Sequence, residues 1–195
     1  MRKLNRRLLI SLRMPDTDDN LIATIGEALH HVRGRKVLLR EVAFPPHWPS
    51  GLWVDQSDRD VIAYEANARP EHQLVIIGHE IWHMFEGHCD AHTDHGPAAL
   101  RALGPQSAEM LHQLSAILPD IADELTPASH RMDAALHVAA RSSGGEAHKE
   151  EQAELFGIQF ATALQAALTE ARTTADPTNL VGRIQASMAH RFQRP

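Results

Sequence analysis

The sequence predicts an α+β fold that is mainly α-helical, with a small antiparallel sheet of about three strands. Apolar residues recur at the spacing of amphipathic helices in several segments, for example at Ile22, Ile25, Leu29 and Val32. Between residues 37 and 64 this pattern gives way to short runs of β-branched and aromatic side chains, bounded by prolines and polar turns, as is typical of strands. We therefore expect helices packed against one small sheet.

The chain has 195 residues, a formal net charge of −6 and 43% apolar residues. This is the length of about one domain, and so much apolar surface can form a core, which excludes disorder throughout the chain. The single cysteine, Cys89, cannot form an internal disulfide and suits a reducing compartment. No apolar run approaches the roughly 20 residues that span a membrane. We therefore expect a cytoplasmic protein that binds no membrane and, given its acidity, no nucleic acid directly.

Two helices and the sheet account for the first third of the chain. Residues 1–35 are predicted to form the helices, and Gly34 stands where a glycine commonly ends a helix. Residues 36–66 are predicted to form the sheet, which begins with a strand rich in branched side chains. Leu52–Val54 and Val61–Tyr64, separated by a polar turn, then predict a hairpin.

The remainder of the chain is predicted to be helical. A long helix is expected over Pro70–Glu86, opened by its proline, and further helices over residues 106–118, 128–140 and 146–170. The apolar side chains expected to be buried in the last of these are Leu155, Phe156, Ile158, Phe160, Leu164 and Leu168. The single domain thus comprises N-terminal helices (1–35), the sheet (36–66), the central helices (70–170) and a C-terminal helix (176–195).

The helix over Pro70–Glu86 carries His79-Glu80-Ile81-Trp82-His83, which has the form His-Glu-x-x-His. Residues four apart on a helix project from one face, so both imidazoles can bind one metal ion at about 2.0–2.1 Å. Glu80 can lean toward a metal-bound water and take its proton during attack on a carbonyl group. The pattern predicts a zinc hydrolase with His79 and His83 as metal ligands and Glu80 as general base.

A zinc site of this kind needs a third protein ligand and leaves one position for water. The nearby candidates are His88, Asp90, His92 and His95. The longer metzincin pattern is not met, because Gly87 and His88 each stand one position out of its register. A later helix offers Glu150 and Glu154, one turn apart, so that one can bind the metal while the other orients a ligating histidine.

The run Gly78-His79-Glu80-Ile81-Trp82-His83, followed downstream by Glu150-x-x-Ala153-Glu154-x-Phe156, resembles the gluzincins and, within them, the ImmA/IrrE family of metallopeptidases. Arg33-Gly34-Arg35 before a strand and Ser50-Gly51-Leu52-Trp53 before a hairpin are similar to an actinobacterial branch of that family. The resemblance covers about Leu21–Ala163 and implies a zincin-like helical core.

The resemblance also implies a role for each acidic residue at the metal. The third zinc ligand of the family falls on Glu150, and the outer acidic residue, which orients a histidine, falls on Glu154. Glu146 and Glu151 are lesser alternatives for the ligand. Many family members have glutamate where this chain has Gln152, a departure that matters only if the residue at that position binds the metal.

The activity implied by the resemblance is that of a zinc-dependent endopeptidase or a metal-dependent regulator. Its target is a helix-turn-helix transcriptional repressor, in some cases within a toxin–antitoxin pair. The alternative to hydrolysis is a zinc-binding regulator that controls a transcription factor by direct contact. A helical interaction module without metal is the third interpretation.

Two further elements of a peptidase site have candidates in the sequence. The strand Val61–Tyr64, just before the zinc helix, is expected to offer an edge that can pair with an extended peptide. The side chains that can stabilise the oxyanion are Tyr64, His130, His137 and His148.

Overall fold

The computed structural model describes residues 1–12, 21–46, 48–56, 58–86, 116, 135–137 and 144–175. In chain order they form helices α1 (Arg2–Ser11) and α2 (Leu21–Arg33), strands β1 (Lys36–Val42), β2 (Gly51–Asp55) and β3 (Arg59–Glu65), helix α3 (Pro70–Glu86), strand β4 (Ala135–His137) and helix α4 (Gly144–Ala175). The predicted α+β, mainly helical class is confirmed. Apart from Ala116, the helices predicted over residues 106–118 and within 176–195 lie outside the described residues. No described helix is long and apolar enough to cross a membrane.

The described sheet has four strands in the order β1-β3-β2-β4. The predicted hairpin is confirmed, since β2 and β3 pair antiparallel with Trp53 opposite Ile62. The sheet as a whole is mixed, because β1 runs parallel to β3, so the prediction of a wholly antiparallel sheet was wrong. The connection from β1 to β2 contains Pro45, Pro46 and Pro49 and is too long for a tight turn. It allows β2 to pair on the far side of β3.

The short strand β4 corrects a further prediction. It replaces part of the helix expected over residues 128–140 and pairs antiparallel with β2, with residue 137 opposite Trp53. Strand pairing here overrides the local helical periodicity, which is a weak preference. The expected peptide-binding edge at Val61–Tyr64 was also wrong, because these residues lie in β3 with a strand on either side.

The core lies between the sheet and the helices. Trp53 of β2, Ile62 of β3, Ile77 of α3 and Phe156 of α4 are all fully or almost fully buried in one apolar cluster. Burial of each such side chain contributes roughly 1.5–3 kcal/mol. Helix α3 contacts β2, β3 and α4, and is therefore held on two sides.

One stripe of α4 faces this core. The stripe consists of Phe156, Phe160, Leu164 and Leu168, spaced four residues apart and buried. Leu155 and Ile158 were also expected to be buried, but they are 47% and 55% exposed. They lie on the side of α4 that faces away from the core, so the helix is amphipathic over a narrower stripe than predicted.

Gly34 ends α2 as predicted. Its φ of 78° lies in the left-handed region that favours glycine, and its N–H donates to the carbonyl oxygen of His30 at 2.9 Å. This cap directs the chain from α2 into β1 within two residues.

Candidate metal centre

Helix α3 places His79 and His83 on one face, one turn apart. Their Nε2 atoms lie 3.0 Å from each other and their ring centroids 4.7 Å apart. Both side chains are partly buried, with 19% and 24% of their surface exposed. The two nitrogens therefore point to one location that solvent can still reach.

Helix α4 brings Glu150 to the same location. Its Oε1 lies 3.2 Å from Nε2 of His79, and its Oε2 lies 3.5 Å from Nε2 of His83. The three donor atoms all lie within 4.8 Å of one another, and the group could hold a metal ion. Glu150 comes from a helix more than 60 residues downstream, so tertiary packing alone creates this cluster.

Two glycines allow α3 and α4 to approach closely enough for this contact. A Cβ atom at Gly78 would lie 2.9 Å from Cα of Gly157, and one at Gly157 would lie 2.5 Å from the carbonyl oxygen of Val75. Beside the glycines, the rings of Trp82 and Phe156 pack with centroids 5.1 Å apart. Sequence reasoning missed Gly157, although a glycine in the interior of a strongly helical run is costly and indicates a close approach.

The imidazole of His79 is biased toward its neutral form. Burial lowers its pKa, and the negative charges of Glu150 and Glu154 act in the opposite direction without cancelling that effect. Metal binding requires an unprotonated ring nitrogen, so this bias favours His79 as a ligand near neutral pH.

The side chain of Glu80 lies against strand β2, close enough to the cluster for its pKa to respond to the charge of Glu150. The residue is 7% exposed, and its carboxylate accepts a hydrogen bond from the backbone N–H of Trp53. Burial, reinforced by the charge of Glu150, raises the pKa of Glu80 to about 8 against the lowering effect of that hydrogen bond.

Gly51 of β2 leaves the space that the Glu80 carboxylate fills. A Cβ atom at residue 51 would lie 2.6 Å from Oε1 of Glu80 and 2.7 Å from Cγ2 of Ile76. The sequence predicted Trp53 in a strand of the hairpin and indicated Gly51 as part of a family-like run. Their contact with Glu80 depends on how β2 lies against α3, which local spacing does not specify.

The remaining acidic candidates on α4 lie elsewhere. Glu154 is exposed, and its charge reaches His79 more weakly than that of Glu150 does. Glu151 is exposed and lies 3.8 Å from Nδ1 of His148, while Nε2 of Gln152 lies 3.0 Å from Nε2 of the same histidine. The departure at Gln152 therefore falls outside the three-residue cluster. Glu146 lies in α4, but its side chain is outside the described part of the structure.

Two of the predicted oxyanion donors, Tyr64 and His148, have described side chains. Tyr64 is buried in the apolar core, where burial and the charge of Glu41 raise its pKa. His148 is 71% exposed on α4. The side chain of His137 is not described, and the residues that lie outside the described part are Cys89, His88, Asp90, His92, His95 and His130.

The donor set fits a zinc ion. Two imidazole nitrogens and one carboxylate, partly open to solvent, match the three protein ligands of a catalytic zinc site that keeps a position for water. Manganese or iron can take the same donors. No protein-family model, curated protein or solved structure was found to match this chain.

Proposed function

We propose that this chain is a zinc-dependent endopeptidase that cleaves a regulatory protein. The observation that carries the proposal is the convergence of His79, His83 and Glu150 beside the buried carboxylate of Glu80. Two helices and a strand contribute to it, and the residue types are those that hydrolysis of an amide requires. The substrate class, a helix-turn-helix transcriptional repressor, follows from the resemblance of the sequence to ImmA/IrrE peptidases.

In this proposal each residue has one task. His79, His83 and Glu150 would hold the zinc ion, which when bound would make water more acidic and polarise the scissile carbonyl group. Glu80, in the ionised form that the positive charge of a bound zinc ion would favour, accepts the proton of the attacking water on a carboxylate oxygen and delivers it to the nitrogen of the leaving amine. The hydrogen bond from Trp53 and the space above Gly51 keep that carboxylate in one place.

Replacement of Glu80 by glutamine tests the proposal. Glutamine keeps the size of the side chain but cannot accept the proton, so cleavage should fall by at least about 100-fold while zinc remains bound. Cleavage is measured by mass spectrometry on a mixed peptide library and on a co-expressed candidate repressor. Zinc is measured by elemental analysis, with about one ion per wild-type chain expected.

The matched control is Glu86→Gln, the same change at an exposed position near the end of the same helix. It should leave cleavage and zinc content unchanged. Cleavage that persists in Glu80→Gln contradicts the proposal. A repressor that is still regulated by Glu80→Gln without being cut would favour the zinc-binding regulator that acts by contact. A wild-type protein that binds no zinc would favour the metal-free interaction module.

A further inference from the structure

Trp53 is held by hydrogen bonds at both ends. Its backbone N–H donates to the carboxylate of Glu80, and its indole Nε1–H donates to Oδ1 of Asp60 at 2.9 Å. The residue is only 1% exposed, so neither contact competes with bulk water. The position of the backbone N–H is therefore linked to the anchoring of the indole ring.

Asp60 is itself fixed. Its other oxygen, Oδ2, accepts from Nε of Arg33 at 3.0 Å and lies 3.4 Å from Nε of Arg35, while the carboxylate is completely inaccessible to solvent. With both oxygens occupied, the carboxylate cannot rotate without losing a charged partner. Arg33 is the last residue of α2 and Asp60 lies near the start of β3, so the anchor is attached to two elements other than the strand of Trp53.

The same strand also forms the space for Glu80. Gly51 and Trp53 are two residues apart on β2, so their side-chain positions lie on the same face of the sheet. The Glu80 carboxylate fills the space where a side chain at residue 51 would lie, and it is bound by the N–H of Trp53. A small shift of β2 would thus move the N–H of Trp53 and the space at Gly51 together.

We propose that Asp60 is a positioning residue, which acts through Trp53 to hold the carboxylate of Glu80 in its catalytic position. This role rests on the proposed peptidase function. Stability alone is a weak reason for such a cluster, because a buried charged group is often no more stabilising than apolar side chains of similar volume. Catalysis gives a stronger reason, since a misplacement of about 1 Å can cost about 100-fold in rate.

The test is Trp53→Phe, which removes the indole N–H and keeps an aromatic ring. We expect kcat to fall by about 10-fold or more, with KM and zinc content unchanged within about twofold. Trp48→Phe is the matched control, because Trp48 packs against Phe44 in the loop before β2, and it should keep the wild-type kcat. Leu29→Ala controls for lost stability. It creates a cavity where α2 packs on the core, and it should lower Tm without changing kcat.

A second measurement does not depend on cleavage. The affinity of the zinc-loaded protein for acetohydroxamic acid reports on a carboxylate beside the metal, because that carboxylate can accept the proton of the hydroxamic acid. Affinity should fall by about 10-fold in Trp53→Phe and at least as much in Glu80→Gln, but not in Trp48→Phe or Leu29→Ala.

These results separate the two proposals. A wild-type protein that binds zinc and hydroxamate but cuts no peptide would end the peptidase proposal, while weaker hydroxamate binding by Trp53→Phe would still show that Asp60 and Trp53 position the Glu80 carboxylate beside the metal. Wild-type kcat and hydroxamate affinity in Trp53→Phe would overturn that role. So would a kcat that falls equally in Leu29→Ala, because lost stability would then explain the effect.

Discussion

His79 and Glu80 are neighbours in the chain, yet they face two different parts of the molecule. His79 faces α4, where two glycines and a pair of aromatic rings bring in Glu150. Glu80 contacts β2, where the N–H of Trp53 and the space at Gly51 hold its carboxylate. The first contact assembles metal donors and the second restrains a proton acceptor. Metal binding and proton transfer should therefore respond to different substitutions.

The largest effect is expected at the α3–α4 contact, from Glu150→Ala. Loss of a residue that hydrogen-bonds to a metal ligand typically lowers metal affinity about 10–100-fold. Loss of a carboxylate that binds the metal directly should therefore lower it at least about 1,000-fold. Zinc affinity is measured by competition with a chromogenic chelator. Glu151→Ala is the control, because Glu151 is exposed on the same helix and lies beside His148 instead. If Glu150→Ala bound zinc as tightly as Glu151→Ala does, Glu150 would not be a ligand.

The next prediction concerns the β2 side in the metal-free protein. The pKa of Glu80 is about 8 in the folded state against 4.5 for an ordinary glutamate, so the folded state holds this proton more tightly. The resulting contribution to stability is fully present below pH 4.5 and is lost as the pH rises to about 8. The free energy of unfolding should fall by up to about 4 kcal/mol over that interval.

Urea unfolding of wild type and Glu80→Gln at a series of pH values checks this dependence. Glutamine cannot titrate, so the difference between the two proteins isolates Glu80 from the histidines. The variant should become the more stable protein at neutral pH. Parallel pH profiles for the two proteins would contradict the prediction and would place the Glu80 carboxylate in water.

A smaller effect is expected from Gly157→Ala. The added Cβ would meet the carbonyl oxygen of Val75 at 2.5 Å, so α4 must move away from α3. Overpacking of this kind costs about 1–3 kcal/mol, and zinc affinity should fall with it because Glu150 moves with its helix. Thermal unfolding and chelator competition measure the two quantities.

Gly26→Ala is the control for this substitution. A Cβ atom at Gly26 of α2 meets nothing closer than the carbonyl oxygen of Val37 at 4.0 Å, so alanine should be neutral or stabilise the helix by about 0.5–1 kcal/mol. If Gly157→Ala were as harmless as Gly26→Ala, the closeness of α3 and α4 would not be what brings Glu150 to the histidines.

The two sides of α3 also differ in how far the sequence could predict them. The bounds of α3 and the shared face of His79 and His83 follow from helical spacing, and both agree with the structure. The resemblance selected Glu150 among four glutamates, and packing places it at the histidines. The contact of Glu80 with Trp53 was not predicted, because it depends on the order and direction of strands in the sheet. The direction of β1 was itself predicted wrongly, since β1 runs parallel to β3.

The smallest effect is expected from substitutions of Glu154. These substitutions distinguish a hydrogen bond to a histidine from an effect of the glutamate charge alone. The resemblance assigns it to orient a histidine by a hydrogen bond, whereas in the structure Glu154 is exposed and raises the pKa of His79 through its charge. An exposed charge is worth at most about 1 kcal/mol and is screened by salt. Glu154→Ala and Glu154→Gln should therefore lower zinc affinity equally, by about fivefold or less, and the loss should disappear in about 1 M NaCl. A larger loss in alanine that glutamine restores would mean that a hydrogen bond, which glutamine can still accept, orients the histidine. In that case α4 would supply two specific contacts to the metal donors of α3, whereas β2 supplies its contact to the proton acceptor Glu80.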